Sequence, residues 1–338
     1  MKCPRIPLIL LGMLLVFVSA AGFAGAAETE SKTAAPAMPT HLRFLTGPNG
    51  GQWFFLGEPI AEVLSRNVAP TSSRIGGGVS NIDAINKRLG DLGFSLACFM
   101  GAAESGEKEY QSIKTDNVVL MANVYPQVLY FLVRKEFAAK YSITSVGDLL
   151  KVRAPIRFAA LKPGTASEFI VAMLLKYGYN TGFDQLREQG WALSFSNYAE
   201  TADNFVAGEL DCFAYTAGTS VPLIKTMEEH TEVLILPVEA PVLKLLSDKF
   251  KTGTYVIKTG DYKSVTAPIA TLGDYTCIIA RKDLSDDVIF AVNKALWDNR
   301  EAIAAAVEDF GGLSPETALP QGLPAHPGSV RFWSTLKK

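Results

Sequence analysis

The stretch LRFLTGPNGGQWFFLGEPIAEVL, Leu42–Leu64, contains the three signals that predict the fold of this chain. An apolar run ends at Thr46, a glycine-rich bend follows, and apolar residues then recur at the spacing of an amphipathic helix. A strand, a bend and a helix in this order are typical of one unit of an α/β sheet, whose ligands bind beyond the carboxyl ends of the strands. The stretch therefore predicts an α/β fold and a binding loop directly after Thr46.

The same alternation of apolar runs and helical periodicity continues along the chain. Near-continuous apolar strands separated by helices favour parallel sheets that are covered on both faces. A chain of 338 residues is too long for one core, so we expect two α/β lobes. The predicted strands are Leu42–Thr46, Leu92–Ala97, Val118–Ala122, Val128–Val133, Arg157–Ala160, Cys212–Tyr215, Val233–Leu236 and Tyr275–Ala280.

Composition and missing motifs exclude several classes of function. The chain is 48% hydrophobic and 20% charged, with a net charge of -2, and no basic run is interleaved with aromatic residues, so we expect no nucleic-acid partner. The P-loop, the dinucleotide-binding glycine motif and the nucleophile-elbow motif are absent. His41, His230 and His326 share no metal-ligand spacing. The sequence therefore predicts a binding protein that is not an enzyme, with no metal and no cofactor.

Residues 1–26 have the pattern of a cleavable signal peptide. Lys2 and Arg5 precede an apolar run over Ile6–Val18, and small residues follow at Ala24–Ala26. An uncleaved membrane anchor is the alternative, but the apolar run is short for a membrane span. We therefore expect export to the periplasm.

Residues 27–40 are small, polar and proline-bearing, which predicts a flexible leader. Export implies an oxidising compartment, in which cysteines can pair. Cys98, Cys212 and Cys277 each lie in an apolar run. Three buried thiols are the simpler interpretation, and one disulfide among them is the alternative.

The first candidate binding loop is TGPNGGQWFF, Thr46–Phe55. Its glycines permit close approach to the backbone, its hydroxyl and amide groups can bind a ligand, and its aromatic rings can form a wall. The alternative is a tight turn whose aromatic side chains enter the core. The candidate ligand-binding residues are Thr46, Asn49, Gly50, Gly51, Gln52 and Trp53.

The second candidate loop is GGGVSNIDAI, Gly76–Ile85. The glycines again allow close approach, and Ser80 and Asn81 lie where a helix is expected to begin. Exposed N–H groups at such a helix start attract anions. The candidate residues are Gly78, Ser80 and Asn81, and the alternative is that Ser80 or Asn81 only caps the helix.

The third candidate loop is LKPGTASEFIVAMLL, Leu161–Leu175. Thr165 and Glu168 match a capping box, which is the simpler explanation of this pattern. Lys162 and Ser167 add a cation and a hydroxyl at the same helix start, which suits a carboxylate ligand. The candidate ligand-binding residues are Lys162, Thr165, Ala166 and Ser167.

The fourth candidate loop is DCFAYTAGTSVPLIK, Asp211–Lys225, which places Tyr215, Thr216 and Gly218 at the end of a strand. Pro222 indicates the start of a helix. Tyr215 either belongs to the core or closes the pocket, and the sequence leaves both interpretations open.

These loops, in this order, resemble the TAXI-type solute-binding proteins of tripartite ATP-independent periplasmic (TRAP) transporters. The likeness is carried by TGPNGGQWFFLGEPIAEVL, GGGVSNIDAINKRLGDLGFS, VYPQVLYFLVR, AGELDCFAYTAGTSVPLIK, DYTCIIARKDLSDDVIFAVNKALWDNREAI and LPAHPGSVRFW. Two positions depart from it. Gly78 stands where the family often has Ser or Thr, and Pro59 lies inside the expected first helix, which it should break or kink.

The resemblance implies a periplasmic binding protein-like II fold, with two α/β lobes joined by a two-strand hinge. Residues 40–130 and 275–338 are expected to form lobe 1, and residues 131–274 are expected to form lobe 2. The hinge strands are expected near Tyr130–Arg134 and Thr276–Arg281.

The resemblance also implies a subunit that binds a small carboxylate, similar to glutamate or 2-oxoglutarate, between the lobes. A monomer is the default expectation for its oligomeric state. Its expected partners are the small and large TRAP membrane subunits, separate or fused. A sensor subunit that presents its ligand to a receptor is the alternative within binding proteins. An exported enzyme on the same fold is the alternative from another class.

Overall fold

A computed structural model of the chain describes residues 38–100, 113–250, 252–319 and 323–337. The predicted signal peptide, residues 1–26, lies outside the described residues, as does the predicted leader up to residue 37. Within the described ranges, no helix combines the length and the apolar character that a membrane span requires.

One mixed sheet of ten strands runs through the described part of the chain. Its strands are β1 (Leu42–Leu45), β2 (Thr71–Arg74), β3 (Leu92–Leu96), β4 (Val118–Arg134), β5 (Arg157–Leu161), β6 (Ala192–Ser196), β7 (Cys212–Ala217), β8 (Val233–Ile235), β9 (Gly253–Ile257) and β10 (Ile269–Arg281).

Helices cover both faces of the sheet. They are α1 (Gln52–Phe55), α2 (Gly57–Asn67), α3 (Gly78–Asn86), α4 (Lys135–Tyr141), α5 (Val146–Lys151), α6 (Ala166–Met173), α7 (Phe183–Glu188), α8 (Tyr198–Val206), α9 (Pro222–His230), α10 (Ala240–Phe250), α11 (Asp286–Asp298), α12 (Arg300–Ala304) and α13 (Pro327–Leu336). A π-helical turn, Leu174–Gly178, extends α6, and a 3₁₀-helix, Glu308–Gly312, follows α12.

The sheet contains the same three-stranded unit twice. In the first unit β1 pairs in parallel with β2 and β3, and in the second β5 pairs in parallel with β6 and β7. The register also repeats, because Phe44 lies opposite Leu92 and Phe158 lies opposite Cys212. The predicted parallel pairing is confirmed within each unit. We call the part built on β1–β3 the first lobe and the part built on β5–β7 the second lobe.

Two long strands, β4 and β10, cross from one lobe to the other and run antiparallel to their neighbours. Val118–Val128 of β4 pairs with β10, and Val128–Val133 then pairs with β7. Similarly, Ile269–Gly273 of β10 pairs with β9, and Thr276–Ala280 then pairs with β3. The two-strand connection between two α/β lobes is therefore present, and both strands change neighbours a few residues before the segments expected from the sequence.

The structure corrects the prediction of separate strands at Val118–Ala122 and Val128–Val133, because β4 is continuous through Pro126. Proline lacks the N–H that a central strand needs on both sides. Pro126 lies opposite Tyr275 of β10, and pairing with β7 begins only at Val128. One edge of β4 is thus unpaired within the sheet at Pro126, which allows proline in an otherwise central strand.

Three strands were missed by the sequence prediction, namely β2, β6 and β9. Their residues are mostly half-buried or exposed, and β2 has the polar sequence TSSR. Each lies at a sheet edge or off the main strand order. Apolar periodicity does not detect such strands, because little of their side-chain surface is buried.

The predicted break at Pro59 is confirmed. The helix is divided at Leu56, between α1 and α2. Pro59 cannot donate to the carbonyl of Phe55, which is the bond that an uninterrupted helix would make at this point. Because of the break, Gln52 and Trp53 lie in a separate short helix, α1, that follows the end of β1.

One acidic residue fixes the first strand of each lobe to the third. Asp91 accepts from the backbone N–H of Arg43 at 2.9 Å, and Asp211 accepts from that of Arg157 at 2.8 Å. Both carboxylates also bind the guanidinium of the same arginine. In the first lobe Arg281 of β10 adds a second cation at 3.1 Å from Asp91. The same aspartate–arginine contact therefore occurs in both lobes, and in the first lobe it includes a second arginine.

The C-terminal motif around His326 has a structural role in the fold. The buried imidazole of His326 accepts from the N–H of Gly328 through Nδ1 at 3.2 Å, and its Nε2 bonds the carbonyl of Leu284 at 3.0 Å. Burial lowers the pKa of His326. The residue therefore caps α13 and holds it against the loop before α11.

We predict that Asp91→Asn lowers the free energy of unfolding by about 2 kcal/mol at pH 7, the scale of hydrogen bonds to charged groups. Asp211→Asn should cost less, since Asp211 lacks the second arginine. Burial tends to raise the pKa of Asp91, but the hydrogen bonds and charges of Arg43 and Arg281 outweigh it and lower the pKa overall. The stabilisation is therefore present above a pH of about 4 and is lost as the pH falls further. Urea denaturation of both variants, at pH 7 and below pH 4, checks the ranking, and equal losses would contradict it.

A second prediction concerns Asp274, at the crossing of β10. Its carboxylate accepts from the N–H of Cys98 at 3.0 Å, and burial raises its pKa to about 6. Because this value is above that of the unfolded chain, the group destabilises the fold as the pH rises through about 6. Asp274→Asn keeps an acceptor and should raise the melting temperature at pH 7 by about 2–4 °C. The gain should vanish near pH 4, and a pH-independent gain would show that ionisation is not its cause.

Candidate functional site

The candidate loops meet where the two lobes face each other. In both lobes the carboxyl ends of the parallel strands lead into helix starts, α1 and α3 in the first and α6, α8 and α9 in the second. The contact is direct, because the N–H of Ser80 in α3 donates to the carbonyl of Gly164, before α6, at 3.1 Å. The lobes are thus closed on each other.

The glycines of the first two loops make this closure possible. A Cβ atom added to Gly51 would lie 2.6 Å from the ring of Tyr198 at the start of α8. A Cβ atom added to Gly78 would overlap the side chain of Ala166 at the start of α6. The sequence predicted that a ligand needs the space beside these glycines. In the closed structure the opposite lobe takes this space.

A small cavity of about 20 Å³ remains between the lobes. It has room for roughly one water molecule. None of its lining residues carries a charged side chain. They are Pro48, Gly51, Gln52, Trp53, Gly77, Gln127, Thr165, Ala166, Ser167, Tyr198, Thr216 and Ala217.

The structure thus brings Gly51, Gln52, Trp53, Thr165, Ala166, Ser167 and Thr216 together, as candidates from three of the predicted loops. Gln127 and Tyr198 are lining residues that the sequence prediction missed. Gln127 is a polar residue in the long apolar strand β4, which is a signal that could have identified it. Tyr198 follows β6, and its loop was overlooked because that strand was overlooked.

A chain of buried hydrogen bonds fixes one wall of the cavity. The indole of Trp53 donates to the hydroxyl of Thr276 at 3.1 Å, and this hydroxyl donates to Gln127 Oε1 at 2.8 Å. Gln127 Nε2 then donates to the hydroxyl of Thr216 at 3.2 Å. Each amide atom of Gln127 therefore has a partner, which sets its orientation in the wall.

The third loop forms the opposite wall. Thr165 caps α6 by accepting from the N–H of Glu168 at 3.1 Å, as predicted. The reciprocal bond of a capping box is absent, since the N–H of Thr165 donates to the carbonyl of Lys162 at 3.2 Å. Ser167 Oγ accepts from the N–H of Thr216 at 2.9 Å. Ser167 therefore has a structural bond to β7 in addition to its place in the cavity wall.

Two backbone donors at this wall are unused. The N–H groups of Ala166 and Ser167, the first residues of α6, have no acceptor among the described residues. Both residues are buried. The first turn of a helix carries a partial positive charge, and α1 and α3 also begin at this cavity. Because no lining residue carries a negative charge, the cavity is suited to an anion.

An acidic side chain, that of Asp309, already binds the loop before α9, at the edge of the closed cleft. Asp309 accepts from the N–H of Thr219 at 3.0 Å, from that of Ser220 at 3.1 Å and from Gln52 Nε2 at 2.6 Å. The Thr219 hydroxyl is a further donor. Asp309 and Gln52 belong to the first lobe, and the other groups belong to the second. We call this set of contacts the Asp309 latch.

Gln52 completes the latch from α1. Its Oε1 accepts from the N–H of Gly218 at 2.6 Å, and its Nε2 also donates to the carbonyl of Ser220 at 2.9 Å. A Cβ atom on Gly218 would overlap the Asp309 carboxylate, so a larger residue here would displace the side chains of the latch. Gln52 and Gly218, predicted as ligand contacts, are thus engaged by protein groups in the closed structure.

Other predicted residues support the loops. Asn81 is buried, and its amide donates to the carbonyls of Thr46 and Phe94 at 2.8 Å and accepts from the N–H of Gly77 at 3.0 Å. The hydroxyl of Thr46 donates to the carbonyl of Arg74 at 3.0 Å. Neither residue lines the cavity. They hold the first two loops in place.

The structure corrects the predicted start of α3, which lies at Gly78 with Gly77 as its cap residue and not at Ser80 or Asn81. The exposed Ser80 hydroxyl donates to the carbonyl of Gly77 at 2.7 Å, so it engages the preceding turn. Glycine is itself a favoured cap residue, so Gly77 begins the helix without a side-chain hydrogen bond and ahead of Ser80 and Asn81.

The remaining predicted residues lie outside the cavity lining. Lys162 and Asn49 are exposed at the surface. Gly50 has a φ of +79° and adjoins Ala199 of α8. Tyr215 is fully buried in the core of the second lobe, with its ring 4.4 Å from that of Phe213, and burial raises its pKa. Of the two interpretations of Tyr215, the structure favours the core.

Other chemistry is limited within the described ranges. No group of three or more His, Cys, Asp or Glu side chains there is arranged to hold a metal ion. Cys98, Cys212 and Cys277 are buried free thiols, which agrees with the simpler interpretation of the sequence. Cys98 lies in a helical turn at residues 97–100 and not in a strand.

Comparison with known proteins supports this architecture. MatC from Rhodopseudomonas palustris, solved with bound malate, matches with a TM-score of 0.53 and 14% identity over 89% of this chain and 96% of MatC. A periplasmic transporter matches with a TM-score of 0.49 and 12% identity, over 90% of this chain and 94% of the transporter. The periplasmic binding protein BugD matches with a TM-score of 0.48 and 14% identity, over 88% of this chain and 93% of BugD. Of these three matches, that of MatC has a TM-score above 0.5, and at this identity it establishes the fold alone.

The fold is therefore a two-lobed binding protein fold, with two α/β lobes joined by β4 and β10. The profile of the NMT1-like family matches residues 44–334, from the first strand to the last helix. The chain therefore belongs to the NMT1-like family.

Proposed function

We propose that the protein is the periplasmic solute-binding subunit of a TAXI-type TRAP transporter. It binds a small carboxylate, on the scale of glutamate or 2-oxoglutarate, between its lobes and delivers it to the membrane subunits. In this proposal residues 40–130 and 275–338 form one moving body, and residues 131–274 form the other. The protein is exported by its signal peptide and works as a monomer.

One observation carries the carboxylate assignment. The free N–H groups of Ala166 and Ser167 lie at the wall of a cavity at which four helices, α1, α3, α6 and α8, begin and which no charged side chain lines. A carboxylate supplies two acceptor oxygens and a negative charge, so it satisfies both the donors and the helix dipoles. The proposed contacts are Gly51, Gln52, Trp53, Thr165, Ala166, Ser167 and Thr216, with Gln127 and Tyr198 added.

The same lining favours binding over catalysis. It contains no histidine, cysteine, lysine or carboxylate that could act as a general acid, base or nucleophile. A ligand that bridges both walls stabilises closure, because only the closed form makes both sets of contacts. Mass spectrometry of the small molecules released from the purified protein identifies the acid. Recovery of a cation or of a turned-over product would contradict the proposal.

We predict that Ala166→Pro weakens carboxylate binding without weakening α6. Proline is well tolerated at the first position of a helix, and Thr165 before it already has the extended backbone, φ −82° and ψ 149°, that proline requires. The change removes one N–H donor. Loss of a hydrogen bond to a charged group, about 1.5–3 kcal/mol, should reduce affinity about 10- to 150-fold.

The matched control is Asp286→Pro, which places proline at the first position of α11, away from the cleft. Titration calorimetry of both variants with the released ligand gives the comparison. Retained affinity in Ala166→Pro would mean that α6 does not bind the carboxylate. A similar loss in the control would point to a general effect of proline.

We also predict that Asp309→Ala opens the empty protein. The change removes the acceptor of the donors on Thr219, Ser220 and Gln52, so the closed form loses its latch. Small-angle scattering of the ligand-free variant should give a larger radius of gyration than the parent. Glu301→Ala, at an exposed residue of α12, is the control and should leave the radius unchanged. An unchanged radius in Asp309→Ala would show that the latch does not hold the lobes together.

A further inference from the structure

A second, larger cavity adjoins the small one. Its volume is about 360 Å³, and it shares Gly51, Gln52, Tyr198 and Ala217 with the cavity between the lobes. Its walls are α1, the starts of α8 and α9, and the segment that follows α12. We call it the outer groove. The volume lies in the range of small-molecule pockets, which is about 300–1,000 Å³, whereas the inner cavity is far below it.

The outer groove is apolar along its walls and acidic at its rim. Phe55, Val221, Leu223 and Val307 provide hydrocarbon surface. Glu308 lies at the rim, where its carboxylate accepts from the hydroxyl of Ser220 at 3.1 Å. No lysine or arginine is among the lining residues. The groove is thus suited to hydrocarbon and unsuited to a second negative charge.

The packing of the fold does not explain why an aromatic residue stands at position 55. Its side chain is 53% exposed, although Trp53, two residues earlier on the same helix, is 7% exposed and packs on Phe94. The ring of Phe55 contacts that of Phe54 at 5.6 Å and otherwise faces the groove. An exposed aromatic residue in a concave apolar surface is typical of a ligand-binding wall.

We propose that the ligand is a monocarboxylate that carries an apolar chain or ring, with its carboxylate in the inner cavity and its hydrocarbon part in the outer groove. The inference rests on the proposed function: it keeps the carboxylate, and it replaces the dicarboxylates glutamate and 2-oxoglutarate, which gave the scale there, with acids that carry one carboxylate and an apolar part. The inner cavity, at about 20 Å³, takes at most the carboxylate end of an organic acid and not the whole molecule. The molecule passes Gln52 and Tyr198, which line both cavities, and its hydrocarbon part lies against Phe55 and Leu223.

Titration calorimetry with two series of acids tests this inference. The first is the straight-chain alkanoates from acetate to octanoate, and the second is the α,ω-dicarboxylates of the same chain lengths. The association constant of the alkanoates should rise about fourfold with each buried methylene until the groove is full. A dicarboxylate should bind more weakly than the alkanoate of equal length, because its second charge approaches Glu308.

Variants assign the effect to the groove. Phe55→Ser and Leu223→Ser should flatten the rise with chain length and leave acetate binding nearly unchanged. Leu89→Ser, at a residue that is 58% exposed and does not line the groove, is the matched control and should keep the parent's slope. Melting temperatures of the ligand-free variants confirm that each is folded.

The outcomes separate the two proposals. If acids bind with no dependence on chain length, or if the groove variants keep the parent's slope, the outer groove is not a ligand site and the carboxylate function stands. If dicarboxylates bind more tightly than alkanoates of equal length, the inference is also wrong. If no acid of either series binds and Ala166→Pro has no effect on the released ligand, the carboxylate function itself is wrong.

Discussion

The structure depends on one constraint, which is that helix starts from both lobes meet almost without intervening space. Parallel strands direct their following helices so that the positive ends face the same side of the sheet. When two such lobes close, their positive ends approach each other, which is unfavourable unless negative groups lie between them. Asp309 supplies one such group at the start of α9. The first turn of α6 contains Glu168, but the N–H groups of Ala166 and Ser167 have no acceptor among the described residues, and the proposed carboxylate supplies one.

This constraint gives the glycine-rich loops a different meaning from the one that the sequence suggested. Glycine at positions 51 and 78 was interpreted as space for a ligand, but the space is filled by Tyr198 and Ala166 of the other lobe. Both readings follow from the same property, the absence of a Cβ atom. A sequence shows that something approaches the backbone closely, and only the fold shows whether it is a ligand or the protein itself.

The strands of the fold could be predicted where their side chains are buried, because buried strands have apolar sequences. β1, β3, β5 and β7 are apolar and central, so their composition identifies them, whereas the exposed strand β2 has no such signal. Residues of the site that lie in one loop, such as Thr165 and Ser167, could be found from their helix start. Asp309 could not, because it lies 257 residues from Gln52 and its role arises only when the lobes close. Tyr198 could not be predicted as a site residue, because the strand before it, β6, is exposed or half-buried along its length and was not predicted as a strand.

In the proposed function, the surfaces that meet when the lobes close are also the surfaces that bind the ligand. The ligand therefore has to add contacts beyond those that the two lobes already make with each other. A latch that holds the empty lobes together reduces the free energy that a ligand spends on closing them, so affinity increases. The same latch also closes some of the protein when no ligand is bound, so closure depends less on the ligand. A transporter that recognises the closed form would then distinguish loaded from empty protein less well. The latch of Asp309 is made of hydrogen bonds at the rim, whereas the unsatisfied donors of Ala166 and Ser167 lie inside. In the proposed mechanism the carboxylate accepts from these donors, so the loaded closed form has contacts that the empty closed form lacks.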